Sequence, residues 1–339
     1  RPHILDHRQL WHLRNLAIGS HHSGQLPGWK LILEKLMTSG LLDAVFATST
    51  VSAGVNFPAR SVVFFNSDRF NGTQFLPLNA TELHQMTGRA GRRGMDNIGF
   101  ALLVPNKFMD VRRVVNLMNS GASDVMSQIH INFSMVLNLL LSHNPGQIEE
   151  LLKKSFATYL ITKTSADAPL KGAHKNLWSD FLHHLNFLQQ TGFVTAKGEL
   201  TEDGIWASQL RVDQPLLIAE CFKQSLLPQE NPGVLAGVIA SFVNERESND
   251  RIAKRIMPNQ LKRALTGLIR GIGPFTRHMT AEGFEVRPMY MRPAAAIFSW
   301  ATGQSWEKVL QISELEEGDL AMLILRTADN LRHIRGLKQ

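Results

Sequence analysis

The sequence predicts an α/β lobe followed by a helix-rich region, made of a winged-helix domain and an all-α helical bundle. Three observations predict it. Short Val- and Phe-rich runs alternate with helically spaced segments over the first hundred residues. Beyond Pro105 the spacing is helical almost throughout, interrupted by one short strand pair around Gly198. A chain of 339 residues is also too long for one ordinary core, so two or three domains are expected.

The elements follow in order. "GWKLILEKLMTSG" has helical spacing, with Leu31, Leu33, Leu36 and Met37 expected inside and Gly40 as the stop. "DAVFATS" and "RSVVFFN" are short apolar runs of the kind that form buried parallel strands. "NATELHQMTG" opens a helix, with Asn79 as N-cap and Glu82 three residues later as the second half of a capping box. "NIGFALLVP" is a further strand, ended by Pro105. Strand, helix, strand, helix, strand is an α/β pattern, whose working loops are expected at the carboxyl ends of the strands.

Beyond that lobe, residues 123–156 give two amphipathic helices broken at Pro145, and a short linker runs from Ala157 to Leu177. Residues 178–210 read as a helix, a short strand pair around Gly198, and a second helix capped by Thr201, which is a winged-helix pattern. His183 and His184 in its first helix are a surface residue beside a packed one. From about Val212 the chain is a helical bundle. Its segment 251–277 carries Arg251, Lys254, Arg255, Lys262, Arg263, Arg270 and Arg277 and no acidic residue. Such a face either lines a nucleic-acid channel or is solvated surface whose stems cover apolar area.

Composition narrows the chemistry. A net charge of +7 points to a polyanionic partner. The single cysteine, Cys221, excludes an intramolecular disulfide and suits a reducing cytoplasm, where its apolar setting makes it core packing. No apolar run reaches the ~18 residues that span a membrane, so no membrane partner is expected. His21 and His22 are adjacent and point different ways, and no Cys or carboxylate stands at ligand spacing, so no metal site is expected there.

Three loops carry unusual residues. "HHSGQLPG" begins at His21. "FATSTVSAGVNFPA" follows a strand with Thr48, Ser49, Thr50 and Ser52, then Gly54 and Asn56. Its hydroxyls and amides suit a sugar–phosphate backbone, and equally an ordinary capped turn. "QMTGRAGRRGMD", residues 85–96, packs three arginines and three glycines between Gly88 and Gly94. Glycine admits close approach and arginine forks onto phosphate oxygens, although the stretch could also be a solvated basic turn.

Taken together, in this order and spacing, the three loops resemble motifs four-a, five and six of the second RecA-like lobe of superfamily 2 helicases. The resemblance is to the DExH branch of superkiller and exosome-cofactor (Ski2-like) RNA helicases, and it continues more weakly to the end of the chain. It implies a partial second RecA-like lobe over residues 1–110, a winged-helix domain over 111–211 and a helical bundle over 212–339. It implies that Arg92 is an arginine finger onto the γ-phosphate of ATP and Arg89 its companion. Gln85, Gly88, Gly91 and the supporting Arg93 then line the ATP cleft. His22, Ser23 and Gly24, with Thr48, Thr50 and Gly54, are expected along the nucleic-acid backbone, and Gly54 is also assigned to the ATP cleft. Lys262, Arg263, Arg270 and Arg326 extend that path through the bundle. The terminal helix departs from the family pattern, with Met322 and Leu325 where arginines are usual, while Arg326, Asp329 and Arg332 remain.

No G-x-x-x-x-G-K-[ST] and no Asp-Glu dipeptide occurs in the sequence. ATP and Mg²⁺ are therefore expected to be held mainly by a first lobe outside it, and the chain is expected to be the C-terminal part of a longer ATP-dependent helicase. The resemblance implies RNA, single-stranded or partly duplex, and 3′-to-5′ polarity. DNA remains possible, since DNA-unwinding relatives share most of the motifs. The family's arch insertion is not expected between Phe156 and Trp178, and protein partners are left unassigned. A different class of reading is a non-enzymatic winged-helix nucleic-acid-binding protein with a vestigial helicase lobe.

Overall fold

The computed structural model describes residue 5 and residues 7–48, 59–70, 74–92, 94–121, 125–164, 173–210, 212, 214–243 and 257–336. Two compact units result. The first comprises Arg1–Asp124 with Leu315–Ala321, and the second Val125–Glu314 with Met322–Gln339.

In the first unit, helix α1 (Leu10–Leu16) leads into strand β1 (Ile18–His21), helix α2 (Pro27–Thr38) and strand β2 (Ala44–Ala47). β1 and β2 pair in parallel, Ile18 opposite Ala44 and His21 opposite Ala47. Proline at the start of α2 costs nothing, because that amide has no helical acceptor, and Gly40 ends the turn after it at φ +68°. Trp29 and Leu33 are the buried residues of α2. Leu36 and Met37 are half-buried, but Leu31, expected inside, is 51% exposed. At 100° per residue, positions 29, 33, 36 and 37 share a face and position 31 falls almost opposite Trp29.

Strands β3 (Ser61–Phe64) and β6 (Phe100–Leu103) form a second parallel pair, with Val63 opposite Leu102. An antiparallel hairpin that sequence reasoning missed, β4 (Asp68–Phe70) and β5 (Phe75–Pro77), precedes helix α3 (Ala80–Thr87). The capping box of α3 forms as expected. Asn79 accepts from the Glu82 amide at 2.8 Å, and the Asn79 amide donates to Glu82 at 3.0 Å. Glu82 also pairs with Arg69 at 2.5 Å, which ties β4 to the helix. Phe64, Leu78, Leu83, Met109 and Val114 form the core beneath β3, α3 and helix α4 (Val111–Met118). The strands are parallel as expected, yet they are not buried on both sides: Phe46, Val63, Phe65 and Leu102 are exposed. Each pair has only two strands among the described residues, and alternate side chains of β3 and β6 face away from that core.

The second unit is helical. Helices α5 (Phe133–Leu140) and α6 (Pro145–Lys153) are separated at Pro145 as expected, with Asn132 and Asn144 as caps. Residues 125–132, expected to be helical, have no regular structure, because Asn132 caps the helix only at Phe133. Most of the expected linker is helical as well. Helix α7 (Phe156–Thr164) and helix α8 (Ala173–Gln190) occupy both of its ends. The strand pair around Gly198 shrinks to one antiparallel bridge, Val194 with Leu200, closed by the Thr195 amide donating to the Glu199 carbonyl at 2.7 Å. Thr201 caps helix α9 (Glu202–Ser208), its hydroxyl accepting from the Gly204 amide. Cys221 is buried in helix α10 (Pro215–Lys223), and burial pushes its thiol pKa up to about 12.

Helices α11 (Pro232–Ala240) and α13 (Met291–Ala301) approach through small residues, Gly237 lying against the Ala294 carbonyl. Between them in sequence, helix α12 (Asn259–Ala281) buries Leu261, Leu265, Leu268, Ile272, Phe275 and Met279. Helices α14 (Trp306–Ser313) and α15 (Glu317–Gly336) complete the chain. Among the described residues no helix is long and apolar enough to cross a membrane.

The two leucines of α2 give a direct check of the packing. Leu33→Ala should cost about 2–5 kcal/mol in chemical denaturation. Leu31→Ala, on the exposed face, should cost less than about 0.5 kcal/mol. Equal losses at both positions would contradict the orientation of α2.

Candidate functional site

The turn after β1 is organised from beneath by polar side chains. His21 points inward, 6% exposed, with Nε2 3.2 Å from Glu34 on α2. Gln25, 4% exposed, donates from Nε2 to the Ser20 carbonyl at 2.7 Å and to Gln9 at 3.0 Å. Its Oε1 accepts from the His22 amide at 3.3 Å. This leaves His22 half-buried and Ser23 exposed at the carboxyl end of β1. Gly24 is buried, and its carbonyl accepts from the Gly318 amide at 2.9 Å, beside the Arg8–Glu316 ion pair at 2.6 Å. Thr48, exposed at the end of β2, donates its amide to the His21 carbonyl at 3.4 Å. His22, Ser23 and Thr48 therefore share one edge of the β1–β2 pair, whereas Gly24, expected beside them, is buried. Thr50 and Gly54 lie outside the described residues. Gln25 was not singled out from the sequence; its partner Gln9 is sixteen residues away, and no local pattern reveals that contact.

The arginine-rich turn is set elsewhere. Gln85 is exposed on α3, and Gly88 follows the helix as its C-cap. The chain then runs beside Ala59. The Ala59 amide donates to the Arg89 carbonyl at 3.2 Å, and the Gly91 amide donates to the Ala59 carbonyl at 2.8 Å. Gly91 at φ +89° and Gly94 at φ +77° turn it. The turn thus precedes β6 and abuts Ala59, two residues before β3, at the amino ends of that pair. The expectation that all working loops lie at carboxyl ends is corrected here. A stretch joining the end of a helix to the start of a strand can only lie where the chain enters the sheet.

Within the turn, Arg92 and Asp96 are locked together. Arg92 Nε donates to Asp96 Oδ2 at 2.8 Å, Arg92 Nη2 to Oδ1 at 2.9 Å, and the Arg92 amide to Oδ2 at 2.9 Å. These bonds hold the Asp96 carboxyl far below its ordinary value, at about 2. The Arg92 side-chain bond contributes most, then the Arg92 amide, with smaller help from the charges of Arg92 and Arg60. The same pair raises the pKa of the Arg92 guanidinium. Arg89 and Gly91 are half-buried beside it, and Arg93 lies outside the described residues. The signal for Asp96 in the sequence is its i,i+4 spacing from Arg92.

In the second unit, Lys262, Arg263 and Arg270 project from one face of α12. With Asn259, Thr266 and Gly267 they line a shallow surface depression. Arg277 is also exposed on this helix, and Arg251, Lys254 and Arg255 lie outside the described residues. On α15, Met322 and Leu325 are 47% and 58% exposed, Arg326 is exposed, and Arg332 pairs with Asp329 at 2.7 Å. His183 is an exposed residue whose Nε2 lies 2.8 Å from the Glu282 carbonyl. His184 is half-buried between Phe133 and Phe284, and desolvation lowers its pKa. Among the described residues no three His, Cys, Asp or Glu side chains converge as metal ligands.

Residues 197–339 match the DSHCT (NUC185) domain. The chain is 33% identical over 213 residues to Superkiller complex protein 2 of Mus musculus, covering 62% of this chain and 17% of that protein. It is 43% identical over 142 residues to Exosome RNA helicase MTR4 of Homo sapiens, covering 41% of this chain and 13% of that one. Its relatives are Ski2-like DExH-box helicases. A bacterial example is Probable helicase HelY of Mycobacterium tuberculosis, 41% identical over 147 residues, or 43% of this chain and 16% of the relative. The chain thus spans a fifth or less of the length of these helicases.

The ion pair in the arginine turn is open to direct titration. The Asp96 carboxyl followed by NMR should have its midpoint near 2, and Arg92→Ala should return it toward the ordinary value of about 4. The folded-state pKa is depressed, so the stability contributed by this carboxylate is present above about pH 4 and is lost as pH falls through about 2. A midpoint near 4 in the unsubstituted protein would contradict the pair.

Proposed function

We propose that this chain is the C-terminal part of an ATP-dependent RNA helicase that moves 3′-to-5′, contributing the arginine finger and part of the strand-binding channel. Residues 1–110 are read as a second RecA-like lobe, 111–211 as a winged-helix domain and 212–339 as the helical bundle. One observation carries the reading. Arg92 is held on a rigid turn whose sequence, with the two loops before it, follows the motif order of Ski2-like helicases, and relatives of that name match the chain.

The residues present suit one side of an ATP cleft. Arg92 and Arg89 offer cationic donors to phosphate, with Gln85, Gly88 and Gly91 in the same stretch; Arg93 and Gly54, outside the described residues, are assigned to the cleft by the motif resemblance alone. Arginine suits this task because its charge persists and its donors lie in a planar fork. The one carboxylate described in the turn, Asp96, is committed to Arg92, so this turn offers no described Mg²⁺ ligand. Mg²⁺ and the bulk of ATP belong to the complementary lobe of the complete helicase. There Arg92 stabilises charge on the transferring phosphoryl group, the effect worth ~10³–10⁵ in rate for arginine fingers. The buried Gly24, against Gly318, shapes the turn instead of touching the strand, while His22, Ser23, Thr48 and Thr50 meet the sugar–phosphate backbone. Contacts of that kind position a strand without reading its bases.

In the complete helicase, Arg92→Ala should lower RNA-stimulated ATP turnover by ~10³-fold or more while the protein stays folded. Arg89→Ala should also impair it, and Arg112→Ala with Arg113→Ala, on α4, should leave it intact. Near-normal turnover in Arg92→Ala would reduce the motif to a basic turn.

Strand binding has its own test. Neutralising Lys262, Arg263 and Arg270 together should weaken single-strand RNA binding and flatten its salt dependence by up to about three charges' worth. An unchanged affinity and salt slope would make this face of α12 solvated surface.

A further inference from the structure

The finger reading gives Asp96 no task, yet Asp96 makes three of the hydrogen bonds that define the turn. We propose that Asp96 is the positioning residue of Arg92: its carboxylate grips one edge of the guanidinium so that the other end is presented, already oriented, to a phosphoryl group. The proposal rests on Arg92 acting as the arginine finger.

A guanidinium carries five N–H donors in a planar fork. Asp96 takes the Nε edge, with Oδ2 on Nε at 2.8 Å and Oδ1 on Nη2 at 2.9 Å. Both N–H groups of Nη1 and one of Nη2 lie outside this pair. A carboxylate that blocked the finger would occupy the Nη1–Nη2 end; this one leaves that end for a second anion. Exposure divides the same way, with the Arg92 side chain 34% exposed and that of Asp96 8%. The carboxylate is the covered partner and the guanidinium the open one.

The grip is itself anchored. Oδ2 also accepts from the Arg92 amide at 2.9 Å, so the carboxylate is fixed to the backbone of the residue whose side chain it holds. The Met95 and Asp96 amides donate to the Arg92 carbonyl at 3.0 and 2.9 Å, closing the turn. Arg60 adds a second positive charge near Asp96, so the cluster remains cationic although Arg92 is paired. An arginine oriented in advance loses little conformational freedom at the moment of reaction, the kind of preorganisation that electrostatic catalysis depends on.

Asp96→Asn separates positioning from mere capping. The amide keeps an oxygen for the Arg92 backbone N–H but loses the charge and the second acceptor of the fork. In the complete helicase, Asp96→Asn should lower the kcat of RNA-stimulated ATP hydrolysis by ~10- to 100-fold, with KM for ATP changed by less than about threefold. The double variant with Arg92→Ala should be no slower than Arg92→Ala alone, since a residue acting only through Arg92 has nothing further to lose. Arg92→Lys, which keeps the charge without the fork, should be as impaired as Arg92→Ala. In this chain alone, the Arg92 Nε–H signal should be protected from exchange by NMR, and that protection should vanish in Asp96→Asn while the Arg92 backbone amide signal persists.

Unchanged kcat in Asp96→Asn or near-normal turnover in Arg92→Lys, with Arg92→Ala impaired, would overturn the positioning role and leave the finger standing. A further loss on adding Asp96→Asn to Arg92→Ala would show that Asp96 acts through the fold, and would overturn the proposal as well. Normal turnover in Arg92→Ala would remove the finger and this proposal with it.

Discussion

The arginine turn depends on a close approach of two backbones. Gly99, just before β6, lies so near Ala90 and Gly91 that a Cβ at position 99 would stand 2.5 Å from the Ala90 carbonyl carbon. No side chain fits there without moving the backbone. The same segment is held by Ala59, which accepts from the Gly91 amide and donates to the Arg89 carbonyl. Ala59 and Gly99, each close to the start of a strand, thus flank the start of the turn, which Gly91 and Gly94 continue at positive φ. Within that turn Arg92 and Asp96 meet.

What could be read from the sequence was mostly local. The capping box of Asn79 and Glu82, the Thr201 cap and the break at Pro145 each depend on contacts within four residues, so the residue types announce them. The parallel strands were legible from their Val and Phe content, but their exposure was not. An apolar run states that a strand is β-forming, not how many neighbours cover it. The expected pair of strands around Gly198 became one bridge for a similar reason: the turn is encoded locally, and strand length is decided by packing. Leu31 is exposed because Trp29, with Leu33, sets the buried face of α2, a face that the spacing of Leu31, Leu33, Leu36 and Met37 does not reveal.

The candidate site divides along the same line. The three loops stood out by residue type, and their order pointed to the helicase branch that the relatives bear out. The interactions that shape those loops did not stand out. Gln25 reaches Gln9 and Ser20 from beneath the His22 turn, and Gly318 meets Gly24 from almost three hundred residues away. Asp96 sits in plain view four residues from Arg92, but the turn between them, with Gly94 at φ +77°, is not announced by that spacing. Residue types announced the chemistry, and long-range packing supplied its geometry.

The central claim is that Arg92 reaches the phosphoryl group of ATP from a turn that is already formed. A structure of the complete helicase with RNA, ADP and an aluminium fluoride mimic of the transferring group tests it most directly. The account predicts an Nη atom of Arg92 within about 3 Å of a fluoride, with Nε still on the Asp96 carboxylate. Arg92 turned away from the mimic, with another cation in its place, would contradict it.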